Sequence, residues 1–163
     1  MSKYRIFSLT VGISLLLDQL TKIYIDSNFQ LYESIQVIEN FFHITYVRNP
    51  GAAFGILADN AVRIPFFISI SLLAGIGILW YLRKIAASDF WQHLALGLIF
   101  SGAVGNLIDR IRLGEVIDFL DAHWYQHHWP AFNVADSAIC VGVAVLFLCS
   151  WREERQKKST ETN

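Results

Sequence analysis

Asp118 and Asp136 stand at the facing ends of two apolar stretches, each inside a polar segment. The segments read Gly105-Asn-Leu-Ile-Asp109-Arg110, Val116-Ile-Asp118-Phe119 and Phe132-Asn133-Val-Ala-Asp136-Ser137. Ionisable groups in or at the edge of an apolar span are costly to place, so they point to a functional site. Two carboxylates that meet where water is scarce cannot both ionise cheaply; they hold one proton between them and titrate as a unit. The ionised member takes a proton from water while the protonated one hydrogen-bonds a carbonyl, the division of labour of aspartic proteases. The alternative for each aspartate is a helix cap or an arginine partner.

The surrounding polar residues have the same two sides. Asn106 and Asn133 can donate to the aspartates or to a bound peptide backbone, or they can cap helices and bond between them. Asp109 has Arg110 adjacent and Arg112 close by, so a local pairing that steadies the helix end is expected there. Asp18 and Lys22, four residues apart, are expected to form a local ion pair, with contact to an anionic lipid or a polar headgroup as the functional alternative. Asp121 rivals Asp118 for the dyad but ranks second, because Ala122 and His123 place it in a wetter setting. His123 and His127 have the spacing of a metal pair and His128 adds an imidazole, yet no carboxylate or cysteine partner stands at ligand spacing. An interfacial loop accounts for them, and no metal is assigned. Gly102 and Gly105 read as close-packing positions between helices.

These residues need elements to hold them at one depth. Of 163 residues, 54% are hydrophobic and only three are proline. Four apolar stretches, about 6–25, 64–82, 90–109 and 132–151, approach the ~20 residues that cross a bilayer as a helix. The first follows Lys3 and Arg5 but lacks a small-x-small cleavage site, so it is expected to be retained. Lys3 and Arg5, Arg83 and Lys84, and Arg152, Arg155, Lys157 and Lys158 all fall on one side of a four-span arrangement, which the positive-inside rule makes cytoplasmic. Connections 26–63 and 110–131 then face outward. Residues 152–163 form a polar tail expected to be loose in solvent. Cys140 and Cys149, about 14 Å apart along one helix, cannot bridge to each other.

In the first outer connection, Val37-Ile38 and Phe41 to Val47 are rich in β-branched and aromatic residues and predict a small hairpin. Asn49-Pro50-Gly51 marks a turn, and Ala52-Ala53-Phe54-Gly55 has the small side chains of a place where a ligand approaches closely. The second, Ala122 to Pro130, is aromatic and polar, as an interfacial segment would be. A proton-coupled transporter would string acids through the membrane, but the cytoplasmic halves of the second, third and fourth spans contain none. A non-catalytic assembly protein would leave the clustering of Asn and Asp at one depth unexplained.

Five stretches, in order, resemble the bacterial lipoprotein signal peptidases, or signal peptidase II: Asp18-Gln-Leu-Thr-Lys22, Asn49-Pro-Gly-Ala-Ala-Phe-Gly55, Gly105 to Arg110, Val116 to Phe119 and Phe132 to Ser137. The resemblance implies an all-α, four-helix inner-membrane domain over residues 1–151, with a small extracytoplasmic β-rich cradle between helices one and two. It implies an endopeptidase that cuts lipid-modified prolipoproteins just before the diacylglyceryl-cysteine, active as a monomer, with no cofactor and no nucleic-acid partner. By similarity Asp118 and Asp136 are the catalytic pair, and Asn49, Gly51, Asn106, Asp109, Arg110, Asn133, Asp18 and Lys22 bind substrate or support the site. Both termini would be cytoplasmic and the site would open on the outer face, among membrane lipids. The histidines after Asp121 lie outside the pattern.

Overall fold

The computed structural model describes residues 3–51 and 62–161. Ala52, Ala53, Phe54 and Gly55 lie outside the described residues. Four helices carry most of the chain: α1 Lys3–Asn28, α2 Arg63–Lys84, α3 Phe90–Leu113 and α4 Val134–Glu161. All four are long and apolar enough to cross a membrane. Their apolar side chains point outward: Leu73, Ile76 and Phe147 are among many exposed ones, as suits helices in lipid rather than water.

Local signals set the ends. Pro65 sits in the first turn of α2, where its missing N–H breaks no helical bond. Asp89 caps α3 by accepting from the Gln92 amide at 3.1 Å. Gly114 ends α3 at φ 74°, the left-handed conformation that glycine adopts without steric penalty. That end comes at Leu113, beyond the expected 109, and α4 runs on through the stretch expected to be a loose tail. The polar residues from Arg152 onward simply continue the apolar helix, with Glu154 and Lys158 paired at i, i+4.

α3 is the central helix and packs on the other three. Where it crosses α4, a Cβ on Gly102 would run into the Ala135 carbonyl, and one on Gly105 into the Asp18 carboxylate. The close-packing expectation for both glycines therefore fits their surroundings. Apolar side chains cluster near the two ends of the bundle, around Phe7, Leu82 and Leu96 at one and Ile25, Tyr46, Ile117 and Phe119 at the other. A group of buried polar residues accompanies them: Asp18, Lys22, Asn106, Asp109 and Asn133.

The sheet departs from an all-α description and from an interfacial loop over 110–131. Strands β1 Ser34–Ile38, β2 Phe42–Asn49, β3 Val116–Trp124 and β4 His127–His128 form one antiparallel sheet in that order. The expected hairpin is β1–β2, but its inner strand needs a partner for its second row of amides and carbonyls. The stretch after α3 supplies it, pairing Asn49 with Val116, Val47 with Asp118 and Phe42 with Ala122. Asp118 thus sits on a strand, and the cradle draws on both connections.

Candidate active site

Asp118 is the third residue of β3, with 2% of its surface exposed. Its Oδ2 accepts from Asn49 Nδ2 at 2.9 Å, and its Oδ1 from Asn133 Nδ2 at 2.7 Å. Asp136 lies in the first turn of α4, where free backbone amides and the helix dipole favour an anion. Asn133 and Asp136 cap reciprocally: the Asp136 amide donates to Asn133 Oδ1 at 2.9 Å, and the Asn133 amide to Asp136 Oδ2 at 3.2 Å. Asp136 Oδ1 is left to accept from Asn106 Nδ2 at 2.8 Å. Helix capping and a shared site, posed as alternatives by sequence, coexist on one carboxylate.

A buried cation orients Asn106. Lys22, 1% exposed, donates to Asn106 Oδ1 at 2.9 Å and pairs with Asp18 at 3.1 Å and Asp109 at 2.9 Å. Since the ammonium only donates, it fixes the Asn106 carbonyl towards itself and the amide towards Asp136. Asp18 in turn accepts from the Ala135 amide at 2.8 Å, and Asp109 from the Ile117 amide at 3.2 Å. One ion cluster therefore ties α1 and α3 to the starts of both α4 and β3.

Two local expectations are corrected here. Asp109 pairs with Lys22 and not with Arg110 or Arg112, because it faces the interior of the bundle. Arg110 instead donates to the Gly51 carbonyl at 3.2 Å and lies over the Phe67 ring at 4.5 Å, holding the turn after β2 against α2 and α3. Lys22 does form the expected pair with Asp18, but its burial leaves it no access to a lipid headgroup.

Asn49, Gly51, Asn106, Arg110, Asp118 and Asp136 line one side of a cavity of about 600 Å³. Trp129, Pro130, Phe132, Ile139, Cys140 and Val141 line its apolar side. Burial, and then the neighbouring charge of Asp136, push the Asp118 carboxyl up to about 7, against the pull of Asn49, Asn133 and Lys22. Near neutral pH such a group can both give and take a proton. Asp121 is not in the cavity; it bonds His128. The sequence does not announce the apolar wall, nor a cluster of Asp26, Tyr46 and Arg48 that fastens β2 to the end of α1. Arg48, a cation in the middle of an outer connection poor in basic residues, is the available signal for that cluster.

The family model of signal peptidase (SPase) II matches residues 10–152. The chain belongs to the signal peptidase II family. Lipoprotein signal peptidases of Geobacter metallireducens and Geobacter sulfurreducens are 56% and 59% identical to it over 154 residues, spanning 94% of this chain and 95% and 96% of theirs. A solved structure described as a bacterial membrane enzyme superposes with a TM-score of 0.85 at 34% identity, covering 93% of this chain and 90% of that one. Signal peptidase II is a protease, so the buried polar cluster and its cavity belong to a peptide-cleaving enzyme with four membrane-capable helices.

Proposed function

We propose that this signal peptidase II is an aspartic endopeptidase that removes the signal peptide from diacylglyceryl-modified prolipoproteins, cutting before the lipidated cysteine. The observation that carries the proposal is the pair Asp118 and Asp136, lining one cavity and bridged by Asn133. The pair holds one proton. Its ionised member takes a proton from a water molecule as that water attacks the scissile carbonyl, and its protonated member hydrogen-bonds the carbonyl oxygen. The roles then reverse, and the departing amine leaves with a proton. Asn49 and Asn133 steady Asp118, Asn106 steadies Asp136, and Arg110 holds the Gly51 turn at the rim.

The basic residues at the opposite end of the bundle mark that end as cytoplasmic, so that in the bacterial inner membrane both termini face the cytoplasm. The sheet, residues 34–49 and 116–128, then forms an extracytoplasmic cradle, and residues 1–151 act as one peptidase domain followed by a cytoplasmic end. A lipid-anchored substrate stays in the bilayer, so acids that cut beside the anchor belong near the surface, where water arrives. The apolar lining from Trp129 to Val141 offers its lipid-side contacts, and both aspartates come from one chain, in keeping with a monomer.

Asp118→Asn and Asp136→Asn, purified in detergent with unchanged folding, are each expected to abolish cleavage of a lipidated precursor. Full turnover in either variant refutes the dyad.

A further inference from the structure

The last residues of β2 reach both faces of the sheet. Asn49 lies opposite Val116 and Val47 opposite Asp118, so alternation puts Asn49 on the face of Asp118, and Arg48, opposite Ile117, on the other. Asn49 works at both ends of its side chain: Nδ2 donates to Asp118 Oδ2 at 2.9 Å, and Oδ1 accepts from the Gly51 amide at 3.0 Å. The bond to Asp118 therefore needs the end of a strand to stay in place. β1 leaves β2 at Tyr46, whose amide donates to the Glu33 carbonyl at 2.9 Å and whose carbonyl accepts from the Tyr32 amide at 2.8 Å. From Val47 onward β3 is the only described strand beside β2, and strand ends are where pairing opens first. Pro50, which follows, has no N–H to bond.

The face away from Asp118 supplies a second hold. Arg48 Nη2 donates to Asp26 Oδ1 at 2.7 Å and Arg48 Nε to the Tyr46 hydroxyl at 2.7 Å, while that hydroxyl donates to the same Asp26 oxygen. A hydroxyl has one hydrogen to give and lone pairs to receive, so each of the three groups is matched by the other two. Asp26 stands near the end of α1, and Arg112 of α3 acts on it by charge. Tyr46 is buried, but the Arg48 and Asp26 side chains are 21% and 33% exposed. Ion pairs so open to solvent add little stability, so the cluster is better suited to fixing where the strand ends than to holding the fold together. Burial, and then the bond to Asp26, push the Tyr46 hydroxyl above its ordinary value, which keeps the cluster intact through the pH range in which the dyad titrates.

We propose that Asp26, Tyr46 and Arg48 are positioning residues for the dyad, a clamp that holds the end of β2 where Asn49 reaches Asp118. The proposal rests on the reading of Asp118 and Asp136 as the catalytic pair. Asn49 donates to the ionised carboxylate, so loosening the strand removes a bond that favours ionisation, and Asp118 then keeps its proton to higher pH. Asp136 from α4, Lys22 from α1 and Arg110 from α3 also act on Asp118 through their charges, and substitutions in the clamp leave them in place.

The alkaline limb of kcat/KM against pH, measured on the full chain in detergent with a lipidated precursor, tests the clamp. Arg48→Met removes a positive charge and Asp26→Asn a negative one. Charge acting through space would move the limb upward in the first and downward in the second. Opening of the clamp moves it upward in both, by about 0.5–1 pH unit, a share of the ~1–2 pH units that full loss of a hydrogen bond to charge represents. In an Asn49→Ala background neither substitution should move the limb further, since the bond it acts through is already gone. Tyr46→Phe deletes one oxygen and no charge; it should shift the limb the same way, and it decides the question if Arg48→Met does not fold. Opposite shifts, an unmoved limb, or a full shift retained in Asn49→Ala overturn the positioning role while Asp118→Asn stays inactive. An active Asp118→Asn overturns the dyad itself, and the clamp's role with it.

Discussion

Replacing Lys22 with methionine tests the inner ion cluster most directly. The ammonium is 1% exposed and lies 3.1 Å from Asp18, 2.9 Å from Asp109 and 2.9 Å from the Asn106 carbonyl. Methionine fills the space but leaves two carboxylates in a site with no cation in contact. Removing one partner of a buried pair costs ~3–5 kcal/mol. The cheapest relief is for one of the stranded carboxylates to take a proton; from the aqueous value of ~3.9 this costs ~4 kcal/mol at pH 7 but only ~1.5 kcal/mol at pH 5. Lys22→Met should therefore melt roughly 8–16 °C below the parent at pH 7, using ~2–4 °C per kcal/mol for a chain of this length. The gap should narrow by more than half at pH 5. Lys22 also pulls the Asp118 carboxyl down, so its loss lets that group rise, and the alkaline limb of the pH–rate profile should shift upward. Melting curves at the two pH values and kcat/KM across pH measure both effects. A loss of stability equal at pH 5 and pH 7, with an unmoved alkaline limb, would refute the electrostatic account.

The Asp118 carboxyl, raised from 3.8 to about 7, binds a proton more tightly folded than unfolded. Its contribution to stability is complete below pH 3.8 and is lost as pH rises to 7, so Asp118→Asn should gain on the parent by up to ~4 kcal/mol at pH 8 relative to pH 4; paired thermal melts check this. Cleavage by the parent should fall about tenfold per pH unit above 7 as the shared proton leaves. Asn133→Ala removes a donor to the Asp118 carboxylate, a hydrogen bond to charge worth ~1.5–3 kcal/mol, and the side-chain oxygen that accepts from the Asp136 backbone amide, so kcat/KM should drop about 10- to 100-fold in a lipidated-peptide assay. Gly102→Ala drives a methyl into the Ala135 carbonyl, which cannot step aside without moving α4, and should destabilise the fold by ~1–3 kcal/mol in denaturation.

Much of the site is legible in sequence because lipid makes polar residues conspicuous. Asp18, Lys22, Asn106, Asp109, Asn133 and Asp136 each interrupt or border an apolar stretch, and a bilayer-spanning helix leaves a buried charge few reasons to exist. Contacts between distant segments are not legible. Asp109 has Arg110 as its chain neighbour, yet adjacent helical residues diverge by about 100° and do not face each other; the cation that reaches Asp109 comes from another helix. The strand carrying Asp118 reads as loop because Val116 to Leu120 is short, and its pairing depends on an edge offered by residues some seventy positions earlier. The same limit hides the surroundings of Asp121: His43, 3.7 Å from its carboxylate, comes from β2.

The charges around the cavity favour a dyad that keeps one proton. Lys22 contacts Asp18 and Asp109, while Arg110 acts electrostatically on Asp109, Asp118 and Asp136. Four carboxylates and two cations leave a net charge of −2 if every group ionises, and −1 if Asp118 and Asp136 share a proton. In a buried site the second negative charge is the costly one, since the medium screens it poorly and no third cation among the described residues lies in contact. Hydrogen bonds from Asn49, Asn106 and Asn133 spread one anion over the pair without adding charge of their own. On the proposed mechanism, neutral amides at these positions favour a proton count of one, where a lysine or arginine in place of any of them would favour two ionised acids and leave no donor for the scissile carbonyl.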